Sequence, residues 1–378
     1  MKRKLVFLLA ICMVFSLMGC GRSGEADVAK VKGTPCEIAL IMKEDSVEED
    51  PYGQGIWNGI ETFAQSNGVT CQWFSVGSDD IEDCKETMNQ AISEGARVLV
   101  VGGSDFEQAV FSMELEYLDV SFIIVDGPDM AENSDAEAML HDNITGVAFK
   151  EEEAGYMAGY AAVMEGYRTL GFLGGKELPS VIRFGYGFVQ GADAAARKLN
   201  VDQIDLKYHY LGHFQPGEDV AELAKSWYDG GVEVIFACCG SAGQSVMEAA
   251  ELSGGKVIGV DSDQSDQSET VVTSATKNLP KAIETILTEY YDGQFPGSQL
   301  IRLGVAEGGV ALAMDNARLT EFSKAEYEEL CRQFSASVSE TSPQNGLAPA
   351  SPGPDILTEE IAIVNEIPTK AVRVSLVQ

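Results

Sequence analysis

The stretch VEVIFACCGSAGQSVMEAAELSGGKVIGVDSDQ, residues 232–264, constrains the fold of this chain more than any other. Val232, Val234, Ile235 and Phe236 make a short apolar run that ends at Cys238-Cys239-Gly240. Val246, Met247, Ala249, Ala250 and Leu252 follow helical spacing, and Gly254-Gly255 stops that helix. Val257, Ile258 and Val260 make the next buried run. Strand, helix and strand of this length form a βαβ unit, whose two strands must be parallel. Ligands of such sheets sit beyond the carboxyl ends of the strands. Here that rim carries Phe236, Gly240, Ser241 and Asp261: a flat ring, a close-approach turn and a carboxylate.

A chain of 378 residues is long for one core and comfortable for two. Its formal net charge of −33 argues against a nucleic-acid partner, because phosphate binding needs clustered Lys and Arg. The first residues read as an export signal: Lys2, Arg3 and Lys4 precede the apolar run LVFLLAICMVFSLMG and then Cys20. The run falls short of the ~20 residues a spanning helix needs. Leu17-Met18-Gly19-Cys20 resembles a bacterial lipobox, which implies cleavage before Cys20 and lipid on its sulfur; a plain signal-anchor is the alternative. Residues 1–19 are therefore read as signal and 20–34 as a lipidated, flexible tether. Of the remaining cysteines, none forms a C-x-x-C pair or has a partner histidine at ligand spacing, which argues against a metal. Cys36 and Cys71 each begin a predicted strand, so a disulfide between them is one reading and buried thiols the other.

Taken in order, the chain alternates strand and helix. EIALIM (37–42), 70–76, 97–101 and 121–125 read as strands, with helices near 53–65, 80–94 and 105–115. This is the pattern of a doubly wound parallel sheet. After an extended piece at 143–149 and the small-residue helix EEEAGYMAGYAAVM, a second series begins: strand 169–173, helix 180–199, strand 206–211, helix 218–229, then the βαβ unit. The expected fold is thus α/β, with two Rossmann-like, doubly wound lobes joined by a multi-strand hinge. Residues 35–144 plus about 262–292 are assigned to lobe one, and 145–261 plus about 293–335 to lobe two. Residues 336–378 read as a Ser/Pro-rich linker and a tail, in which AVRVSLV alternates like a strand.

Asp126 and Asp261 each follow an apolar run at a rim. A carboxylate there suits vicinal hydroxyls, and hydrogen bonds to charged groups contribute about 1.5–3 kcal/mol each; a turn or cap residue is the alternative. Gly240 and Ser241 would let backbone N–H groups approach a ligand. Catalytic motifs fail. GGK at 174–176 lacks a following Ser or Thr for a phosphate loop, and Cys239 spoils a G-x-S-x-G reading. His141, His209 and His213 have no catalytic or metal context, so no enzyme, metal or cofactor is expected.

Several runs together resemble the basic membrane lipoprotein family of periplasmic-binding-type proteins, which includes purine-nucleoside receptors of ABC transporters. They are FLGGKELPSVIRFGYGFVQGADAAA, VEVIFACCGSAGQSVMEAA, VIGVDSDQ, VTSATKN and the looser GVAFKEEEAGYMAG. The resemblance covers roughly 36–335 and implies the type I periplasmic binding fold. It also implies a base held between aromatics, at positions matched by Trp57 and Phe236, and a contact from Lys277. For Trp57 and Phe236 the residues alone equally allow core aromatics; for Lys277 they allow a salt bridge to a rim acid. The family's Asp-x-Ser-Phe-Asn-like run is altered to EEDPYGQGIW: Tyr52 stands near the Phe, Gly53 at the Asn, and Glu49 or Asp50 in place of the acid. Arg183 allows an ion pair as readily as a ligand contact.

The expectation that follows is an extracytoplasmic, lipid-anchored, monomeric binding protein. It would take a nucleoside or related small polar ligand and pass it to an ABC permease. A sensor or signalling lipoprotein of the same fold, or a sugar receptor, is the alternative.

Overall fold

The computed structural model describes residues 36–43, 47, 50–78, 80–127, 140–338, 354–358 and 361–377. The signal, Cys20, the tether, Glu49 and most of the 336–353 linker lie outside the described residues. Apolar runs such as VLVVG and VIFAC are buried on both faces, as inner strands of parallel sheets are. The first sheet holds β1 (Ile38–Lys43), β2 (Cys71–Val76), β3 (Val98–Gly102), β4 (Ser121–Val125), β5 (Ile144–Phe149) and β11 (Gln299–Leu303), in the order β11-β5-β4-β3-β1-β2. The second holds β6 (Thr169–Gly174), β7 (Ile204–Tyr210), β8 (Val234–Cys238), β9 (Lys256–Asp261), β10 (Val271–Lys277), β12 (Val310–Leu312) and β13 (Val372–Leu376), in the order β12-β10-β9-β8-β6-β7-β13. Within each, the first five strands take the same order, second-first-third-fourth-fifth. This is the two-lobed, doubly wound architecture expected.

Nine helices among the described residues cover the sheets: α1 (Pro51–Asn67), α2 (Ile81–Ser93), α3 (Glu107–Met113), α4 (Glu151–Glu165), α5 (Pro179–Leu199), α6 (Glu218–Asp229), α7 (Gly243–Ser253), α8 (Leu279–Tyr291) and α9 (Lys324–Val338). α1 begins earlier than the spacing predicts, because Asp50 caps it and Pro51 occupies its first turn. That shift puts Tyr52 in the opening turn, beside the rim. α4 and α5 pack backbone to backbone: a Cβ at Gly191 would strike the Tyr156 carbonyl, and one at Gly155 the Phe184 carbonyl. The small-residue pattern of α4 therefore serves helix packing.

Three segments join the lobes, at Lys150, at Asn278 and at 304–309. They are laced together: the Lys150 N–H donates to the Leu303 carbonyl at 3.0 Å, and the Asn278 N–H to the Gly309 carbonyl at 2.7 Å. The lobe assignment of the later strands needs correction. β10, expected in lobe one, lies in the second sheet beside β9, and β11, expected in lobe two, lies in the first beside β5. The physical reason is the connection 262–270. It joins two parallel neighbours without a helix, against the usual crossover, and so reads as a change of lobe. β5 also stays with the first sheet, which moves that boundary to Lys150. Cys36 and Cys71, at the heads of neighbouring strands, are free thiols, not a disulfide.

Candidate functional site

The carboxyl ends of the two sheets border one cavity of about 470 Å³. The shared strand order makes its walls quasi-equivalent. Lys43 ends the first strand of lobe one, and Lys176 follows the first strand of lobe two. Gly103 and Gly240 follow the third strands, at φ 117° and 56°. Asp126 and Asp261 stand at the ends of the fourth strands, both left-handed, at φ 56° and 64°. Short polar side chains tolerate that conformation best after glycine. All six residues line the cavity.

Lys277, the last residue of β10, is the hub of its charges. Its Nζ lies 2.6 Å from Asp126 Oδ2, 3.1 Å from Glu151 Oε1 and 3.8 Å from Asp261 Oδ1. Glu151 is bound in turn by Arg183 Nε at 2.7 Å. Arg183 is thus an ion-pair partner, one of the two readings left open for it. Burial opposes the charge on Lys277, but Asp126, Glu151 and Asp261 outweigh it and hold the ammonium protonated. Burial likewise opposes the charge on Glu151, yet Arg183 and Lys277 keep it below the usual carboxylate range. Asp126 is raised, mainly by burial, with Lys277 pulling the other way. Burial pushes Asp261 up to about 7 and Asp50 to about 6, each partly offset by Lys277. Asp126 Oδ1 is buried and has no hydrogen-bond partner among the described residues. Such an oxygen is costly unless something donates to it.

The rest of the site is held by its backbone. Asp50 accepts the Tyr52 N–H at 3.2 Å, and the Tyr52 hydroxyl donates to the Val125 carbonyl at 3.3 Å. Gly240 takes the left-handed turn, at φ 56°, that a side chain would strain, and a Cβ there would lie 3.4 Å from Asp50 Oδ1 and 3.3 Å from the Phe214 ring. Ser241 also acts through its side chain. Its hydroxyl donates to the Phe214 carbonyl at 2.8 Å, as does the Ala242 N–H, so that it positions Phe214.

Seven of the sequence-derived candidates line the cavity: Asp50, Tyr52, Asp126, Gly240, Ser241, Asp261 and Lys277. Trp57 and Phe236 do not. Trp57 is five residues beyond Tyr52, on a different face of α1, where it packs partly buried against the core. Phe236 is fully buried, with ring centroids of Phe172, Phe184 and Phe188 at 5.5, 5.8 and 5.3 Å. Side chains two apart on a strand share a face, so the residue of β8 that reaches the cavity is Cys238, one pleat nearer the rim. The rings that do line the cavity are Tyr52 from lobe one and Phe184, His213 and Phe214 from lobe two. Phe214 was missed because it lies in the loop after β7, outside any periodic element; its signal is an aromatic two residues beyond Gly212. Glu151 was missed because it reads as one of three helix-start acids.

Comparison with known proteins shows the family and the fold. The family described as ABC transporter substrate-binding protein PnrA-like, or Bmp, matches residues 37–347. The chain is 28% identical over 346 residues to the ABC transporter nucleoside-binding protein BmpA of Lactococcus lactis subsp. cremoris, covering 84% of this chain and 93% of that protein. It is 27% identical over 333 residues to basic membrane protein A1 of Borrelia garinii subsp. bavariensis, covering 85% and 90%. In fold it is similar to an ABC transporter solute-binding protein from Aeropyrum pernix K1, with TM-score 0.64, 19% identity and 83% of each chain covered. A solute-binding protein from Conexibacter woesei gives TM-score 0.63 at 19% identity, covering 82% of this chain and 98% of that one. The chain belongs to the Bmp family of PnrA-like ABC transporter substrate-binding proteins, whose members are extracytoplasmic, membrane-associated solute-binding proteins and not enzymes.

Proposed function

We propose that this protein is the receptor of an ABC importer, tethered by lipid on Cys20, that captures a purine nucleoside between its lobes. The observation that carries the reading is the unpartnered, buried Asp126 Oδ1, beside a Lys277 ammonium that also lies near Asp261, in a cavity lined by aromatic rings. Two acceptors at one end suit the vicinal hydroxyls of a ribose. Tyr52 and Phe214 come from opposite lobes and suit the two faces of a base, since base–aromatic stacking is worth about 1–3 kcal/mol per base. Lobe closure by hinge motion brings the two walls together. The nucleoside-binding name of the Lactococcus lactis relative supports the same ligand class.

Calorimetry on the soluble chain beginning after Cys20 tests this. Micromolar binding, about −8 kcal/mol, is expected for at least one of guanosine, adenosine and inosine. No heat from these or from the pyrimidine nucleosides removes the nucleoside reading, and binding of a free pentose or hexose in their place makes the protein a sugar receptor. A permease gene beside this one supports import; a sensor kinase gene there supports a signalling lipoprotein with the same cleft.

A further inference from the structure

The C-terminal segment takes no part in the cleft, yet it is held by dedicated side chains. Gln190 and Asp193 lie one turn apart on α5 and both engage it. The Gln190 amide pairs with Leu357 like a second backbone: Nε2 donates to the carbonyl at 2.7 Å, and Oε1 accepts the N–H at 2.9 Å. Asp193 Oδ1 accepts the N–H groups of Lys370, Ala371 and Val372 at 2.7, 2.7 and 3.3 Å, while Arg197 Nε donates to Oδ2 at 2.9 Å. β13 then runs parallel to β7, with Val372 beside Ile204 and Leu376 beside Tyr208. His209 Nδ1 meets the Val377 carbonyl at 2.7 Å. Val364, Ile367, Ala371 and Val372 are buried in the main core.

Two features set this segment apart. β13 covers the β7 edge of lobe two, whereas β2, at the same place in lobe one, is the edge of its sheet. The segment is also joined to α9 through a Ser/Pro-rich linker, so its docking is set by its own contacts and by the effective concentration the linker gives.

We propose that residues 354–358 and 361–377 are a strap that stays seated through its own contacts, without need of its covalent linker, and that the groove between α5 and the β7 edge is a strand-docking site for it. Seated, the strap removes an open edge that would otherwise pair with a second copy. It also braces α5, whose first turns present Ser180, Val181 and Phe184 to the ligand cavity.

A protease site placed within 339–353 of the full chain allows the linker to be cut after folding. The cut strap is expected to co-elute with the body at micromolar concentration, and the β7 and α5 amides to keep their hydrogen-exchange protection. Asp193→Ala is expected to weaken retention at least tenfold, with dimers of the stripped body appearing in light scattering. If Asp193→Ala does not fold, Arg373→Pro gives the same reading, since proline removes a ladder bond from the strap itself. A strap that leaves the unsubstituted body once cut, or one held equally well by both substituted proteins, overturns the proposal.

Discussion

The two lobes share a strand order, and each ends its fourth strand in a left-handed aspartate, yet those aspartates are not alike. Asp126 is bonded to Lys277 at 2.6 Å; Asp261 stands 3.8 Å from the same ammonium. Lys277 belongs to lobe two by its strand but reaches across to the acid of lobe one. The symmetric scaffold thus sets down two equivalent carboxylates, and a single asymmetric lysine separates their chemistry. Asp126 is partly compensated. Asp261 is held up to about 7 by burial and is left for a ligand or a proton.

Removing the lysine breaks the comparison most severely. Lys277→Met leaves Asp126 and Glu151 buried with less compensation, and losing one partner of a buried pair costs about 3–5 kcal/mol. Urea denaturation of the unliganded protein should show that loss, and ligand heat should vanish with it; an unchanged midpoint would mean the hub carries no net stabilisation.

The next effect separates the aspartates by pH. In the folded protein Asp261 keeps its proton up to about pH 7, whereas in the unfolded chain it gives the proton up near pH ~4. Between those values the folded state binds more protons, so this contribution is fully present below about pH 4 and is lost as pH rises through about 7. Asp261→Asn has no such slope. Relative to the natural protein it should gain stability from pH 4 to 8, by on the order of 2–4 kcal/mol at the upper end. Thermal melts across that range decide it, and parallel curves for the two proteins would refute the assignment.

The rings give a smaller split. Phe214→Ala should cost about 1–3 kcal/mol of nucleoside affinity, while Trp57→Ala leaves affinity unchanged and costs only stability. Equal losses of affinity would restore Trp57 to the site. Asp261→Ala should cost at least about 1.5 kcal/mol of affinity, and unaltered binding removes it from the site. The smallest effect is expected at the mouth, where Lys176 Nζ and Asp105 Oδ2 face each other at 3.8 Å across the cleft. Both are partly exposed, so a double-mutant cycle on unliganded stability should give less than about 1 kcal/mol.

Much of this was legible in the chain. Apolar runs and glycine stops located nearly every strand and helix, because a two-sided parallel sheet demands unbroken burial. Rim acids were legible for the same reason, since the first polar residue after a buried strand must sit at its end. Phe236 misled because an aromatic near a rim does not specify which way its ring points, and Trp57, named by the family resemblance alone, packs partly buried against the core. A step of two along β8 separates the core ring Phe236 from the cavity residue Cys238.

The sequence by itself determined the two α/β repeats, the rim acids Asp126 and Asp261 and the absence of a phosphate loop. These depend on local composition and on the periods of helix and strand. Only the tertiary structure decided which sheet receives β10 and β11, which ring meets the cavity, which carboxylate Lys277 neutralises and where the tail docks. Those outcomes rest on contacts between residues as far apart as Asp126 and Lys277, or Asp193 and Ala371. No local pattern records them, because their energy exists only once two lobes have closed around a shared charge or a strand has found an open edge.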